Sequence, residues 1–286
     1  MRSMQPAWSW QFASDTIQQL DLLLPEESIT PEWAWEGSTG KGVRVAVVDS
    51  GVDADHPAIG GGVTRQVTLR ESGGEVVVDE SLPGDSYGHG TACAGIIRSI
   101  APDCELYSVK VLGANLGSSG RAFLTGLKWA IDNGADVCNL SLGTTKPEFY
   151  SRLHEMMDQA YFRRVMIVAA ANNLPVPSFP AVFASVFSVA AHSSGGQQGF
   201  LYNPEPPAEF GAPGIDVRVP WLGGEWITAT GNSFAAPYIA GHIARIIGKH
   251  PGLTPFQVKT ILRALAANAA REPCRGERGP GSQSNT

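Results

Sequence analysis

Along the middle of the chain, short apolar runs rich in β-branched residues alternate with longer, mixed segments. Val43-Arg-Val-Ala-Val-Val48 is the clearest run. Its apolar character is nearly unbroken, which suits a strand buried on both faces rather than one with a wet side. The runs at 106–111, 137–142, 165–170 and 186–190 have the same character. Between them, residues 122–133 and 148–161 read as helices, and Asn133-Gly134 closes the first of these with a helix stop. Strand and helix in alternation predict an α/β fold, with a central, mostly parallel sheet and helices on both faces. In such sheets sites form beyond the carboxyl ends of the strands. Chemistry is therefore expected where these runs end.

Four segments carry candidate chemistry. Asp49 ends the first run, in Val-Val-Asp49-Ser-Gly, although Asp before Gly is by itself ordinary turn chemistry. His89 stands between glycines in Tyr-Gly-His89-Gly-Thr-Ala-Cys-Ala-Gly, where small neighbours let its ring enter a cleft. Ser233 follows Gly231-Asn232 and opens a helical stretch through His242 and Ile247. Backbone N–H groups at a helix start point outward and favour negative charge, so an oxyanion near Ser233 would be stabilised. The plainer reading makes Asn232 or Ser233 an N-cap, and Pro237 is expected in the first helical turn. The run at 165–170 leads into Ala171-Asn172-Asn173, and an Asn amide there is a good oxyanion donor.

Composition narrows the partners. The chain has 286 residues, 43% hydrophobic and 17% charged, with a formal net charge of -6. It has no dense Lys/Arg run, so neither nucleic acid nor a membrane surface is an expected partner. No apolar stretch of about 18 residues predicts a membrane span. The first residues lack the apolar core of a secretory signal, so a cytoplasmic location is expected. Cys93, Cys104, Cys138 and Cys274 match no zinc spacing and are read as free thiols. Residues 1–36 form an N-terminal arm that contains Trp8, Trp10, Trp33, Trp35 and the segment Leu22-Leu-Leu-Pro25. Residues 37–270 form one domain. Residues 271–286, rich in Arg, Gly, Pro and Ser, are expected to be disordered.

Taken together, the motifs resemble the subtilisin-like serine peptidase family, from about Trp33 to Gly248. The segments Asp49-Ser-Gly, His89-Gly-Thr, Ala-Ala-Ala-Asn-Asn173 and Gly-Asn-Ser233-Phe-Ala-Ala-Pro carry the likeness, in the order Asp, His, Ser. The resemblance implies Ser233 as nucleophile, His89 as general base and then acid, Asp49 as its orienting partner, and Asn173 as an oxyanion donor. It implies that Ser141, Leu142 and Gly143 pair with an extended peptide, flanked by Leu116, Gly117, Ser118, Ser119 and Gly120. It implies a specificity pocket walled by Ala169, Ala170, Ala171 and Ser178, with no acidic group to select a basic side chain. Three departures stand out. Asn232 and Phe234 replace the usual Thr and Met, Asn172 stands at a usual Gly, and the stretch from His89 to Ala101 lacks the loop that holds calcium in secreted members. No metal or cofactor is expected.

The resemblance therefore implies a serine endopeptidase acting on peptide or protein in extended form. The short stretch ahead of Asp49 suits an intracellular enzyme or a dedicated leader-removing peptidase. A transpeptidase or macrocyclase that passes the acyl group to an amine is the related alternative. An inactive fold used as a binding module is the alternative of another class. His56, near Asp53 and Asp55, reads as a turn rather than a metal ligand, and His154, His192, His242 and His250 are scattered.

Overall fold

The computed structural model describes residues 28–81, 83–193, 199–205 and 207–269. The segment at 22–25, Trp8, Trp10, Cys274 and the tail from 271 lie outside these residues. In chain order the strands are β1 (Arg44–Asp49), β2 (Val63–Ser72), β3 (Glu75–Asp79), β4 (Glu105–Lys110), β5 (Val137–Leu140), β6 (Met166–Ala170), β7 (Phe187–His192), β8 (Leu201–Tyr202), β9 (Phe210–Pro213), β10 (Val217–Pro220) and β11 (Trp226–Ala229). The helices are α1 (Pro31–Trp35), α2 (His89–Ile100), α3 (Gly120–Asp132), α4 (Tyr150–Phe162), α5 (Asn232–Lys249) and α6 (Pro255–Leu265).

Among the described residues, nine strands form one sheet in the order β3-β2-β4-β1-β5-β6-β7-β9-β8. The strands from β2 to β9 in that order run parallel, and β3 and β8 add antiparallel edges. Parallel strands need long crossovers, and α2, α3 and α4 supply them. The unbroken apolar run of β1 follows from burial on both sides. Val45 and Val47 pack in one layer with α2, α5 and α6, while Ala46 and Val48 pack in the other with α3 and α4. The order of strands turns around at β1, which has β4 on one side and β5 on the other. The crevice outside the carboxyl ends of β1 and β5 is thus the switch point at which such sheets bind ligands.

Several elements differ from the sequence reading. β5 stops at Leu140, two residues early, because Ser141 turns its hydroxyl to α5. The hairpin β2–β3 was hidden because polar residues interrupt the buried Val67 and Leu69, and the valines of β3 are half-buried or exposed. Pro237 lies inside α5 rather than in its first turn. The described part of the N-terminal stretch packs on the body: Ile29 and Ala34 are buried, and Trp33 stacks on His250 at 4.3 Å. Among the described residues no helix is long and apolar enough to cross a membrane.

Candidate active site

Asp49 ends β1 with its side chain fully buried, and His89 is the first residue of α2. His89 Nδ1 lies 2.8 and 2.9 Å from the two Asp49 carboxylate oxygens. A carboxylate only accepts, so Nδ1 carries the proton and Nε2 keeps its lone pair. Burial by itself lowers the His89 pKa. The charge and hydrogen bond of Asp49, with a smaller contribution from the charge of Asp85, outweigh it, and the net direction is up. The glycines around His89 have a steric cause. A Cβ on Gly88 would sit 2.6 Å from the Trp221 ring, and one on Gly90 would meet the Gly51 carbonyl oxygen at 2.0 Å. Gly88 also caps α2 in the left-handed region, at φ 108°.

Ser233 is the second residue of α5, and the helix begins on Gly231 without any side-chain cap. Neither Asn232 nor Ser233 is the N-cap. Pro237 has no N–H to give to the carbonyl one turn back, which is that of Ser233. The residue just after β5 fills the gap. Ser141 Oγ donates to the Ser233 carbonyl at 2.8 Å and accepts from Asn139 Nδ2 at 2.9 Å. The Cys93 thiol lies 3.5 Å from the same carbonyl. Ser141 therefore spends its side chain on the backbone of Ser233, a role its sequence context did not reveal.

Asn232 is the other residue whose role the sequence hid. Its side-chain oxygen accepts the Ala191 N–H at 2.8 Å, and its Nδ2 donates to the carbonyls of Ala171 and Asn172 at 3.2 and 3.0 Å. Its backbone N–H donates to Asn173 Oδ1 at 2.9 Å. With Oδ1 so engaged, the Asn173 amide presents Nδ2 as its free donor. Ser233 Oγ and Asn173 Nδ2 lie 3.2 and 3.7 Å from the point where a side chain on Gly231 would begin. Glycine there keeps the space between them open.

A pocket of about 170 Å³ adjoins Ser233, lined by Ser141, Leu142, Gly143, Ala170, Ala171, Asn172, Asn173 and Ser178. No charged side chain faces it. Ala169 is not part of the wall: successive strand residues face opposite ways, and Ala169 is buried in the layer under α3 and α4. Leu116, Gly117, Ser118, Ser119 and Gly120 stand apart from the pocket as the turn into α3. Ser119 caps that helix by accepting the Ala122 N–H at 3.1 Å, and Gly120 packs on Phe149. Among the described residues, one group has three potential metal ligands, Asp49, His89 and Cys93, within 4.8 Å of one another. These three side chains are engaged with one another: the Asp49 carboxylate holds His89 Nδ1, and the Cys93 thiol lies 3.9 Å from the same carboxylate.

The chain is similar to known proteins over most of its length. Residues 40–281 match the model of the subtilase family. Subtilisin Savinase of Lederbergia lenta is 33% identical over 243 residues, 81% of this chain and 86% of that one. Minor extracellular protease Epr of Bacillus subtilis (strain 168) is 33% identical over 265 residues, 87% of this chain, which spans only 38% of that protein. The structure of a cold adapted subtilisin-like serine proteinase superposes with a TM-score of 0.64 at 26% identity, covering 79% of this chain and 83% of that one.

Proposed function

The chain belongs to the subtilase family, and from that premise we propose that it is a serine endopeptidase that works through an acyl-enzyme on Ser233. The observation that carries this reading is the buried pair of Asp49 and His89, with Nδ1 held at 2.8 and 2.9 Å by the carboxylate. A serine hydroxyl is a poor nucleophile until a positioned base takes its proton. His89 Nε2 takes the proton of Ser233 as Oγ bonds to the carbonyl carbon of the scissile peptide. Asp49 stabilises the imidazolium that forms. Asn173 Nδ2 and the Ser233 backbone N–H receive the oxyanion. The imidazolium then gives its proton to the leaving amine, the C–N bond breaks, and water repeats the sequence on the acyl-enzyme.

The substrate is peptide or protein in extended form. The pocket wall of small and amide side chains offers no acidic group to select a basic residue before the cut.

Intact-protein mass after treatment with a fluorophosphonate tests the reading. The expected result is one adduct on the wild type and none on Ser233→Ala, with peptide cleavage lost in the variant by several orders of magnitude. Cleavage retained by pure Ser233→Ala would overturn it.

A further inference from the structure

A carboxylate that takes no direct part in the reaction above stands in the loop just ahead of His89. Asp85 Oδ1 accepts from the Ser50 hydroxyl at 2.7 Å and from the backbone N–H groups of Tyr87 and Gly88, each at 2.9 Å. Oδ2 accepts from the Thr91 N–H at 2.9 Å and from the Thr91 hydroxyl at 2.7 Å. Ser50 is the residue after Asp49, and its oxygen accepts the Gly90 N–H at 3.0 Å. One side chain thus fastens the residue that follows Asp49 and the residues on both sides of His89.

Helix physics explains the position. The first N–H groups of a helix lack partners within it, and its start favours negative charge. Gly88, the N-cap of α2, has no side chain to offer, so Asp85 caps the helix from outside. The segments it joins have little slack: a Cβ on Gly51 would meet the Gly84 carbonyl oxygen at 2.2 Å.

We propose that Asp85 is a positioning residue for this reaction: it sets the Asp49–His89 geometry by binding both chain segments. The proposal rests on the assignment of Asp49, His89 and Ser233 made above. The groups facing His89 are Asp49 from the end of β1, Cys93 from α2, the uncharged ring of Phe234 from α5 at 5.2 Å, and Asp85 from the loop. Burial lowers the His89 pKa, Asp49 raises it most, and the charge of Asp85 acts in the same direction as Asp49. Cys93 adds no charge, because burial holds its thiol protonated.

The test is the rate at which a fluorophosphonate labels Ser233, followed against pH, in the full chain and in Asp85→Asn. The expected result is labelling slower by about tenfold to a hundredfold, the range in which small misplacement of a catalytic group acts. The pH midpoint is expected to move down, because the imidazolium loses a favourable charge. With a peptide substrate the loss falls on kcat, with KM near that of the wild type. Wild-type rate and midpoint in Asp85→Asn would overturn the proposal. A wild type that takes no label would overturn the triad assignment and this proposal with it, so the two failures are told apart by the wild-type sample. Should Asp85→Asn fail to fold, Ser50→Ala keeps the charge and cuts the link to the Asp49 loop. Slower labelling with an unmoved midpoint is then expected, and an unchanged rate would overturn the positioning role.

Discussion

The backbone N–H of Asn232 donates to the side-chain oxygen of Asn173 at 2.9 Å, so the residue before Ser233 decides which way the Asn173 amide points. The Asn232 side chain also holds the carbonyls of Ala171 and Asn172, the two residues that lead into that amide. Asn173→Ala is expected to lower kcat with little change in KM. Loss of one oxyanion donor costs about 2.7–4 kcal/mol in subtilisin, a member of the same family. Asn232→Ala is expected to lower kcat by less, since the backbone N–H survives while the loop loosens. Steady-state kinetics on one peptide checks both, and a pure KM effect would count against an oxyanion role.

The raised His89 pKa fixes a pH dependence. The base acts only when neutral, so kcat/KM rises as pH climbs through a value above the ordinary imidazole range of about 6.5. The fold favours the protonated ring. Its contribution to stability is therefore full below the unfolded value and is lost as pH rises through the folded one. A pH–rate profile reads the first effect. Urea unfolding of Ser233→Ala beside the same protein with His89→Gln reads the second.

The Ser233 carbonyl depends on Ser141 because Pro237 cannot serve it. Ser141→Ala is expected to destabilise by about 1 kcal/mol, the usual net worth of one hydrogen bond, because the Cys93 thiol stays as a weaker donor to the same carbonyl. In a Pro237→Ala background the helix regains its own donor, so the cost of Ser141→Ala is expected to shrink. Equal costs in the two backgrounds would show that the bond from Ser141 to this carbonyl contributes nothing measurable.

Three thiols are expected to resist alkylation at neutral pH in the native protein. Cys93 and Cys138 are fully buried and pushed well up, and burial raises Cys104 to about 11. Thiolate is the reactive form. Peptide mapping after iodoacetamide, with and without denaturant, is expected to find these three modified only when unfolded.

Much of this was legible in the sequence where one physical demand acts on neighbouring residues. The strand at β1 announces itself because both its faces are buried, and Asp49 follows from the strand's end. The glycines beside His89 are visible because close backbone approach requires them. What stayed hidden depends on partners far along the chain. Ser141 in Asn-Leu-Ser-Leu-Gly gives no sign that it serves a carbonyl 92 positions away. Asn232 reads locally as a cap, yet all its side-chain bonds go to β7 and the loop after β6. Ala169 was misplaced by one residue of strand phase, which turns a pocket wall into core. One missed element did carry a local signal: Thr254-Pro-Phe-Gln257 is a capping box at the start of α6.

The helix that carries Ser233 is the spine of the molecule, packed on β5, β6, β7 and β9 and against α1, α2 and α6. At its far end Arg245 and Lys249 donate to the carbonyls of Ser38 and Glu32, so the early residues close over its last turn. During synthesis Asp49 and His89 emerge long before Ser233, and the strands on which its helix rests come between. On the proposed assignment a nascent chain therefore holds acid and base without a nucleophile, and the three residues come together only after α5 has left the ribosome. On that assignment, the order of the chain itself delays proteolysis until α5 can seat on the sheet.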